Sequence, residues 1–127
     1  MFEPAVIDHV VYQGATFRKL YSLTTGTPPR PFDLTGFKGR AQLRPSIDSD
    51  EVIATLTTEN GGFIIEIIRD DNDAIVECRW GLYMGPAQTA AFDFKKCVYD
   101  AELEDAVGDV GRIAKGEMEL DKEVTRA

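Results

Sequence analysis

The segment KCVYDAELEDAVGDVGRIAKGEMELDKEVT, residues 96–125, predicts a β-hairpin that decides the fold class. Its first part alternates apolar residues with mostly acidic ones, which is the period of two expected of a strand with one buried face. The apolar positions are Cys97, Tyr99, Ala101 and Leu103. Residues 105–109 then supply a turn, because Gly108 adopts positive φ at no steric cost and the two aspartates can accept hydrogen bonds from nearby backbone N–H groups.

The returning strand is less regular than the first. Its apolar positions share one parity and are expected to face the core; they are Val110, Ala114, Met118 and Leu120. Arg112 interrupts this pattern, and Gly116 marks either a bulge or a place where another backbone approaches closely. Paired together, the two strands are predicted to form a long ribbon with one apolar face.

The remainder of the chain also has strand character. Short β-rich runs bounded by turn residues are predicted over residues 5–12, 15–23, 38–44, 52–57, 63–68 and 74–80. Only residues 86–92 favour helix, because alanine and glutamine are good helix formers and proline suits the first helical position. About eight short strands and one helical turn predict an all-β fold, an antiparallel β-sandwich of immunoglobulin-like general architecture. The 127 residues are expected to form one domain.

Turn chemistry divides these strands. Residues 24–31 contain three prolines and are expected to form an exposed loop, and residues 32–37 a structured corner in which Gly36 takes a left-handed conformation. The turn signal at residues 59–62 predicts a hairpin between the strands on either side. The second of these strands, residues 63–68, is apolar on both faces apart from Glu66 and is expected to be a central strand of the core.

Composition restricts the partners. The net charge is -8 and the isoelectric point about 4.6, which disfavours binding to nucleic acid or to anionic membranes. No run approaches the ~20 apolar residues of a membrane span, and the first residues do not resemble a signal peptide. Cys78 and Cys97 each fall on the apolar parity of a predicted strand and are expected to be buried free thiols. Partners are therefore expected to be proteins.

The sequence offers no constellation typical of catalysis. His9 is the single histidine, and no nucleophile-elbow motif accompanies it. The two cysteines and this histidine lack zinc spacing, and the acidic run at residues 70–73 lacks the glycine and glutamate of an EF-hand loop. A phosphate-binding loop is also missing from the sequence. We therefore expect no catalytic residue, no cofactor and no metal.

Several motifs, taken in order, resemble those of small structural proteins of tailed bacteriophages. They are Gln13-Gly14-Ala15-Thr16-Phe17, Phe32-Asp33-Leu34-Thr35-Gly36-Phe37, Ala41-Gln42-Leu43-Arg44, Leu56-Thr57-Thr58-Glu59-Asn60-Gly61-Gly62, Gln88-Thr89-Ala90, Tyr99-Asp100-Ala101-Glu102-Leu103, Gly116-Glu117-Met118 and Glu123-Val124-Thr125-Arg126. The similarity extends over nearly the whole chain. More distantly, the chain is similar to the N-terminal domain of siphophage baseplate upper proteins, which is a β-sandwich.

This resemblance implies a non-enzymatic virion protein made in the bacterial host cytoplasm. It would assemble with other proteins of the tail, neck or baseplate, and one version of this expectation is an adaptor for fibres. It would also form a homo-oligomer in the particle. Exposed loops and ends are the expected contact segments, with candidate residues Pro28, Pro29, Phe32, Val124 and Arg126. Residues 1–4 and 121–127 are candidate docking ends, and residues 2–12 are suited to adding a strand to a neighbour's sheet.

Two alternatives remain open from the sequence. The first is a capsid decoration protein with the same fold. The second is a carbohydrate-binding or receptor-binding β-sandwich, for which exposed aromatic residues on one sheet face are expected; Tyr12, Tyr21 and Tyr83 are the candidates.

Overall fold

The structure is a computed structural model that describes residues 2–126. Eleven strands and one short helix succeed one another there: β1 (Ala5–Val6), β2 (His9–Tyr12), β3 (Phe17–Ser22), β4 (Thr24–Thr25), β5 (Arg30–Pro31), β6 (Lys38–Arg44), β7 (Ala54–Thr57), β8 (Phe63–Arg69), β9 (Ile75–Met84), α1 (Pro86–Ala90), β10 (Lys96–Glu104) and β11 (Val110–Asp121). The fold is all-β, as predicted, with antiparallel sheets packed together and α1 where the helical turn was expected. Within the described residues, no helix is long and apolar enough to cross a membrane.

Two sheets form the sandwich. The larger has the order β1-β11-β10-β6-β7, with β2 also pairing with β11, and the smaller has the order β3-β9-β8. All neighbours in these sheets are antiparallel except β1 and β2, which run parallel to β11. The two short strands β4 and β5 pair only with each other. The sequence did not predict the strand order, because the pairing joins segments that are distant along the chain.

The core lies between the sheets and is filled by alternate residues of each strand. Trp80 is 2% exposed and stacks on Phe63 across the smaller sheet. Cys78 and Cys97 are buried free thiols, as expected. Burial raises the pKa of the Cys97 thiol to about 11, so this thiol is inert near neutral pH.

The predicted hairpin is present as β10 and β11, with a bulge that shifts the outer half of its register. Ala101 pairs with Ala114, but Glu102 pairs with Arg112, so Ile113 is the extra residue. The extra residue reverses the parity beyond it, and Val110, expected in the core, is 42% exposed instead. Gly116 is a site of close backbone approach, because an added Cβ would overlap the carbonyl oxygen of Ile7.

The structure corrects the prediction for residues 52–68. The turn at residues 59–62 does not close a hairpin, because β7 pairs with β6 in the larger sheet whereas β8 pairs with β9 in the smaller one. The chain crosses between the sheets here. β8 is consequently an edge strand and not the expected central strand, and its residues 64–68 are only half-buried. Val52 precedes β7 and is 39% exposed.

The N-terminal segment is used within the chain. Residues 2–12 were expected to be suited to adding a strand to a neighbouring protein, but β1 and β2 both pair with β11 of the same molecule. The other local turns agree with the sequence. Asp33 Oδ1 accepts a hydrogen bond from Thr35 N at 2.9 Å, Gly36 has a φ of 81°, and Asp105 Oδ1 accepts from Asp109 N at 2.9 Å.

Candidate functional site

A groove of about 500 Å³ lies on the outer face of the larger sheet. Since alternate strand residues face opposite sides, the residues of β10 and β6 that do not enter the core form its floor. We call this surface the groove and define it by Val6, Asp8, Gln42, Arg44, Ile47, Val98, Tyr99, Asp100, Arg112, Lys115, Gly116 and Glu117. Three of the resemblance motifs contribute to it, namely residues 41–44, 99–103 and 116–118, although nothing in them predicts that the surface is concave.

Apolar side chains flank the groove. Ile47 is 83% exposed and Val6 is 71% exposed. Ile47 lies in the loop after β6, and Arg44 anchors that loop by donating from Nη1 to the carbonyl oxygen of Ser49 at 2.9 Å. Arg44 also donates from Nη2 to Gln42 Oε1 at 3.0 Å. The exposed isoleucine is therefore held on an anchored loop.

The charges of the groove are only loosely paired. Arg112 Nε lies 4.0 Å from Asp100 Oδ2, at the limit of an ion pair, and both side chains are 47% exposed. Lys115 forms no ion pair with any residue of the described range 2–126. Burial raises the pKa of Asp100, and the nearby carboxylate of Glu102 raises it further. Three cations and three carboxylates therefore line one groove without saturating one another.

The ion pairs beside the groove are tighter. Arg40 Nε donates to Glu102 Oε1 at 2.8 Å and its Nη1 lies 3.9 Å from Glu104 Oε1, across the pair β6 and β10. A smaller depression of about 310 Å³ adjoins these residues and shares Gln42 and Asp100 with the groove. Cross-strand ion pairs of this kind contribute modestly to pairing. The groove is therefore the part of this sheet face whose charged side chains are less completely paired.

The histidine faces the interior. His9 is 8% exposed, and its Nε2 and the Tyr21 hydroxyl oxygen are 2.6 Å apart. Its Nδ1 is buried without a hydrogen-bond partner among the described residues. Burial lowers the pKa of His9, the charge of Lys19 lowers it further, and Asp8 opposes both effects. Among residues 2–126, no serine, threonine or cysteine is hydrogen-bonded to this imidazole, and no group of three or more potential metal ligands occurs.

A second polar constellation closes one end of the sandwich. We call it the latch and define it by Gln13, Gly14, Thr89 and Glu123. The Thr89 hydroxyl is fully buried; it accepts from Gly14 N at 3.0 Å and donates to the Ala15 carbonyl oxygen at 2.8 Å. Gln13 donates from Nε2 to the Phe92 carbonyl oxygen at 2.8 Å and accepts from Glu123 N at 3.1 Å.

The latch requires a glycine at position 14. Its φ is 82°, and an added Cβ would overlap the Glu123 carboxylate. The latch was not predicted, because its hydrogen bonds join residues that are 74 to 110 positions apart along the chain. The sequence signal that could have found it is the resemblance to phage proteins, because Gln13-Gly14, Gln88-Thr89 and Glu123 belong to three of the motifs that carry this resemblance.

The predicted contact residues lie elsewhere, and none of them lines the groove. Pro28 and Pro29 are exposed between β4 and β5. Phe32 is half-buried, and its ring contacts those of Phe2 and Phe37 at centroid distances of 5.2 and 5.7 Å. In the C-terminal segment beyond the latch, Val124 is 91% exposed and Arg126 is also exposed. Ala127 of the predicted docking end, like Met1, lies outside the described residues.

The aromatic residues named for carbohydrate binding do not form a platform. Tyr12 is 60% exposed, but Tyr21 is half-buried in contact with His9 and Trp80, and Tyr83 is half-buried. The groove itself presents aliphatic and charged groups and one buried aromatic residue, Tyr99, which donates its hydroxyl to the Ile7 carbonyl oxygen at 2.6 Å. Stacking on a sugar ring is therefore not provided for in the groove.

Comparison with known proteins places the chain in no family. No family model matches the sequence, and no curated protein matches it. Among solved structures, a mutant of the SrpA adhesin from Streptococcus sanguinis is similar with a TM-score of 0.38 and 12% identity, over 91% of this chain and 55% of that one. The sialic acid binding region of the Streptococcus sanguinis SK1 adhesin, bound to 3'sLn, is similar with a TM-score of 0.37 and 11% identity, over 96% of this chain and 29% of that one. The chain thus spans about half or less of each of these proteins.

Proposed function

We propose that the chain is a non-enzymatic structural protein of a tailed bacteriophage particle and that it acts by protein–protein contact in the tail, neck or baseplate. The latch is the observation that carries this proposal. Three motifs on which the resemblance to phage structural proteins rests are far apart in the sequence, yet they meet in one partly buried hydrogen-bond network around the buried Thr89 hydroxyl. Motifs that converge in this way are expected of a shared fold, because a buried network is costly to leave partly satisfied.

The groove is the proposed surface of contact with a neighbouring virion protein. It combines exposed aliphatic side chains on its rim with loosely paired charges of both signs. An exposed apolar patch with a polar surround is typical of a protein interface, and charges of both signs can select one partner and orient it. A catalytic role has less support, because the hydrogen-bond partner of the single histidine is the Tyr21 hydroxyl, and among the described residues no serine, threonine or cysteine is hydrogen-bonded to it.

The proposal is tested on purified particles of the phage that encodes the chain. Quantitative mass spectrometry of density-purified particles should find the protein in a constant number of copies, equal to a small multiple of the tail or baseplate symmetry. A copy number that matches the capsid lattice would replace the tail assignment with capsid decoration. Absence from purified particles would contradict both versions of the proposal.

The second candidate function is a carbohydrate-binding or receptor-binding module. The groove favours it, because Arg112 and Lys115 are available to a ligand carboxylate in a concave site. Binding of the isolated chain to an array of neutral and acidic glycans would support this candidate. A matched Lys115→Ala variant should then lose the acidic ligands alone, whereas an array without any bound glycan would leave protein assembly as the proposal.

A further inference from the structure

The free edge of β8 is chemically different from the other sheet edges. β8 reads Phe63-Ile64-Ile65-Glu66-Ile67-Ile68-Arg69 and has no proline or lysine, and its irregularity lies at its end, between Ile68 and Arg69. β3, at the opposite edge of the same sheet, carries Arg18 and Lys19, and β7 is only four residues long. Charged or short strands protect an edge from association, whereas a long apolar edge invites another strand.

The hydrogen-bond pattern shows which backbone groups are free. Tyr83 N donates to the Gly62 carbonyl oxygen at 2.8 Å, so the antiparallel pairs that exchange hydrogen bonds are the even residues of β8 with the odd residues of β9. Leu23 N donates to the Cys78 carbonyl oxygen at 2.8 Å, which directs the even residues of β9 to β3 and is consistent with this pattern. The N–H and C=O groups of Ile65 and Ile67 therefore point away from β9, and they have no hydrogen-bond partner among residues 2–126.

The sequence of this edge is symmetric about its centre. Residues 64–68 read Ile-Ile-Glu-Ile-Ile, the same in both directions. An antiparallel two-fold pair of such strands would place isoleucine opposite isoleucine at every position except the centre. The H-bonding pair would be Ile65 with Ile67 of the second copy, and the outer-face pair would be Ile64 with Ile68 of the second copy.

The centre is the unfavourable position, because the two copies of Glu66 would face each other. Each Glu66 has arginines beside it: Arg79 Nη1 lies 3.5 Å from Oε1, and Arg18 Nη2 lies 3.6 Å from Oε2. Arg79 also donates from Nη2 to Glu77 Oε1 at 2.9 Å. Across the two-fold axis, the carboxylates of two Glu66 and two Glu77 would therefore meet four guanidinium groups, so the charges would balance. Opposed like charges destabilise a strand pair, but this arrangement offsets the repulsion with cations from both copies.

We propose that β8 pairs antiparallel with β8 of a second copy of this chain, about a two-fold axis at Glu66, and joins the two small sheets into one sheet of six strands. The occupant of the free edge is a second copy because the strand is self-complementary under that rotation. The inference does not depend on the proposed function. A chain absent from particles can still dimerise, and a particle protein can be monomeric in solution.

Charged substitutions at the symmetric isoleucines, Ile64 and Ile68, test both the edge and its register. Ile64 and Ile68 lie on the outer face, so their substitution spares the core. In the Ile64→Lys/Ile68→Lys variant each lysine would oppose a lysine, and the dimer Kd should rise at least about tenfold. In the matched Ile64→Glu/Ile68→Lys variant each glutamate would oppose a lysine, and the Kd should return to within about threefold of the parent value.

Sedimentation equilibrium over a wide concentration range measures these constants, and circular dichroism verifies that each variant folds. Hydrogen exchange on the unmodified chain provides a second measurement that needs no substitution: the amides of Ile65 and Ile67 should become protected as the concentration rises, whereas the amide of Arg18 should not. A parent chain that remains a 14.1 kDa monomer at every concentration would overturn the proposal. So would a lysine variant that still dimerises or a glutamate/lysine variant that does not regain the dimer.

Discussion

The latch and the groove are both assembled from polar side chains of distant segments, yet they differ in how completely the chain satisfies them. In the latch, the buried Thr89 hydroxyl and the Gln13 amide have hydrogen-bond partners within the molecule. In the groove, Lys115 has no ion pair within the described part of the chain, and Arg112 meets Asp100 only at 4.0 Å. Satisfied buried groups contribute to stability, whereas loosely paired groups on a concave surface remain available to a partner.

The largest effect on stability is expected at the latch. Thr89→Val keeps the shape of the side chain but removes the buried hydroxyl that bonds Gly14 N and the Ala15 carbonyl oxygen. The free energy of unfolding should fall by about 2 kcal/mol, measured by urea denaturation. Thr89→Ser is the matched control, because it retains the hydroxyl and should lose less. Equal stability of the valine variant and the parent would contradict the role given to the latch.

The pH dependence of stability should come from His9, the other buried polar side chain. Since burial lowers its pKa below 6.5 in the folded state, the unfolded chain binds more protons between the folded pKa and 6.5. The free energy of unfolding should therefore be highest above pH 6.5, fall as the pH decreases through that window, and level off below the folded pKa. Urea denaturation from pH 7.5 to pH 5 measures this slope.

His9→Gln serves as the control for that measurement, because glutamine does not titrate and can still bond to the Tyr21 hydroxyl. Its stability should change less over the same pH range. A slope in this variant as steep as that of the parent would assign the pH dependence to groups other than His9. The Asp100 carboxyl is not one of them, because burial raises its pKa and it therefore contributes stability that increases as the pH falls.

The smallest effect on stability is expected in the groove. Lys115→Ala should change the free energy of unfolding by less than about 0.5 kcal/mol, because it removes an exposed side chain with no ion pair within residues 2–126. Thermal and urea denaturation check this expectation. A loss comparable to that of Thr89→Val would show that the groove, like the latch, serves the fold, and the comparison between them would fail.

Local patterns predicted much of this structure. The alternation of residues 97–103, the turn at Asp105 and the helix-favouring run at Pro86 are properties of neighbouring residues, and each was confirmed. The edge position of β8 was not predictable in the same way. Its apolar composition fits both a central strand and an associating edge, and only the long-range pairing of β7 with β6 distinguishes them.

The candidate site was predictable to a smaller extent. The parity of β10 indicated that Asp100 faces outwards, but the concavity depends on the loop at Ile47 and on β1, which approaches Gly116 from the far end of the chain. The bulge at Ile113 also changes which residues of β11 face outwards. A groove formed by three distant segments leaves no periodic signal in any one of them.

The most direct test of the account is a competition for incorporation into particles. The parent chain is co-expressed during infection with Ile47→Asp, and mass spectrometry compares their ratio in purified particles with their ratio in the lysate. Val107→Asp is the matched control, because Val107 is 84% exposed, like Ile47 at 83%, but does not line the groove. We expect Ile47→Asp to be depleted from particles and Val107→Asp to enter at the lysate ratio, whereas equal entry of both variants would contradict assembly through the groove.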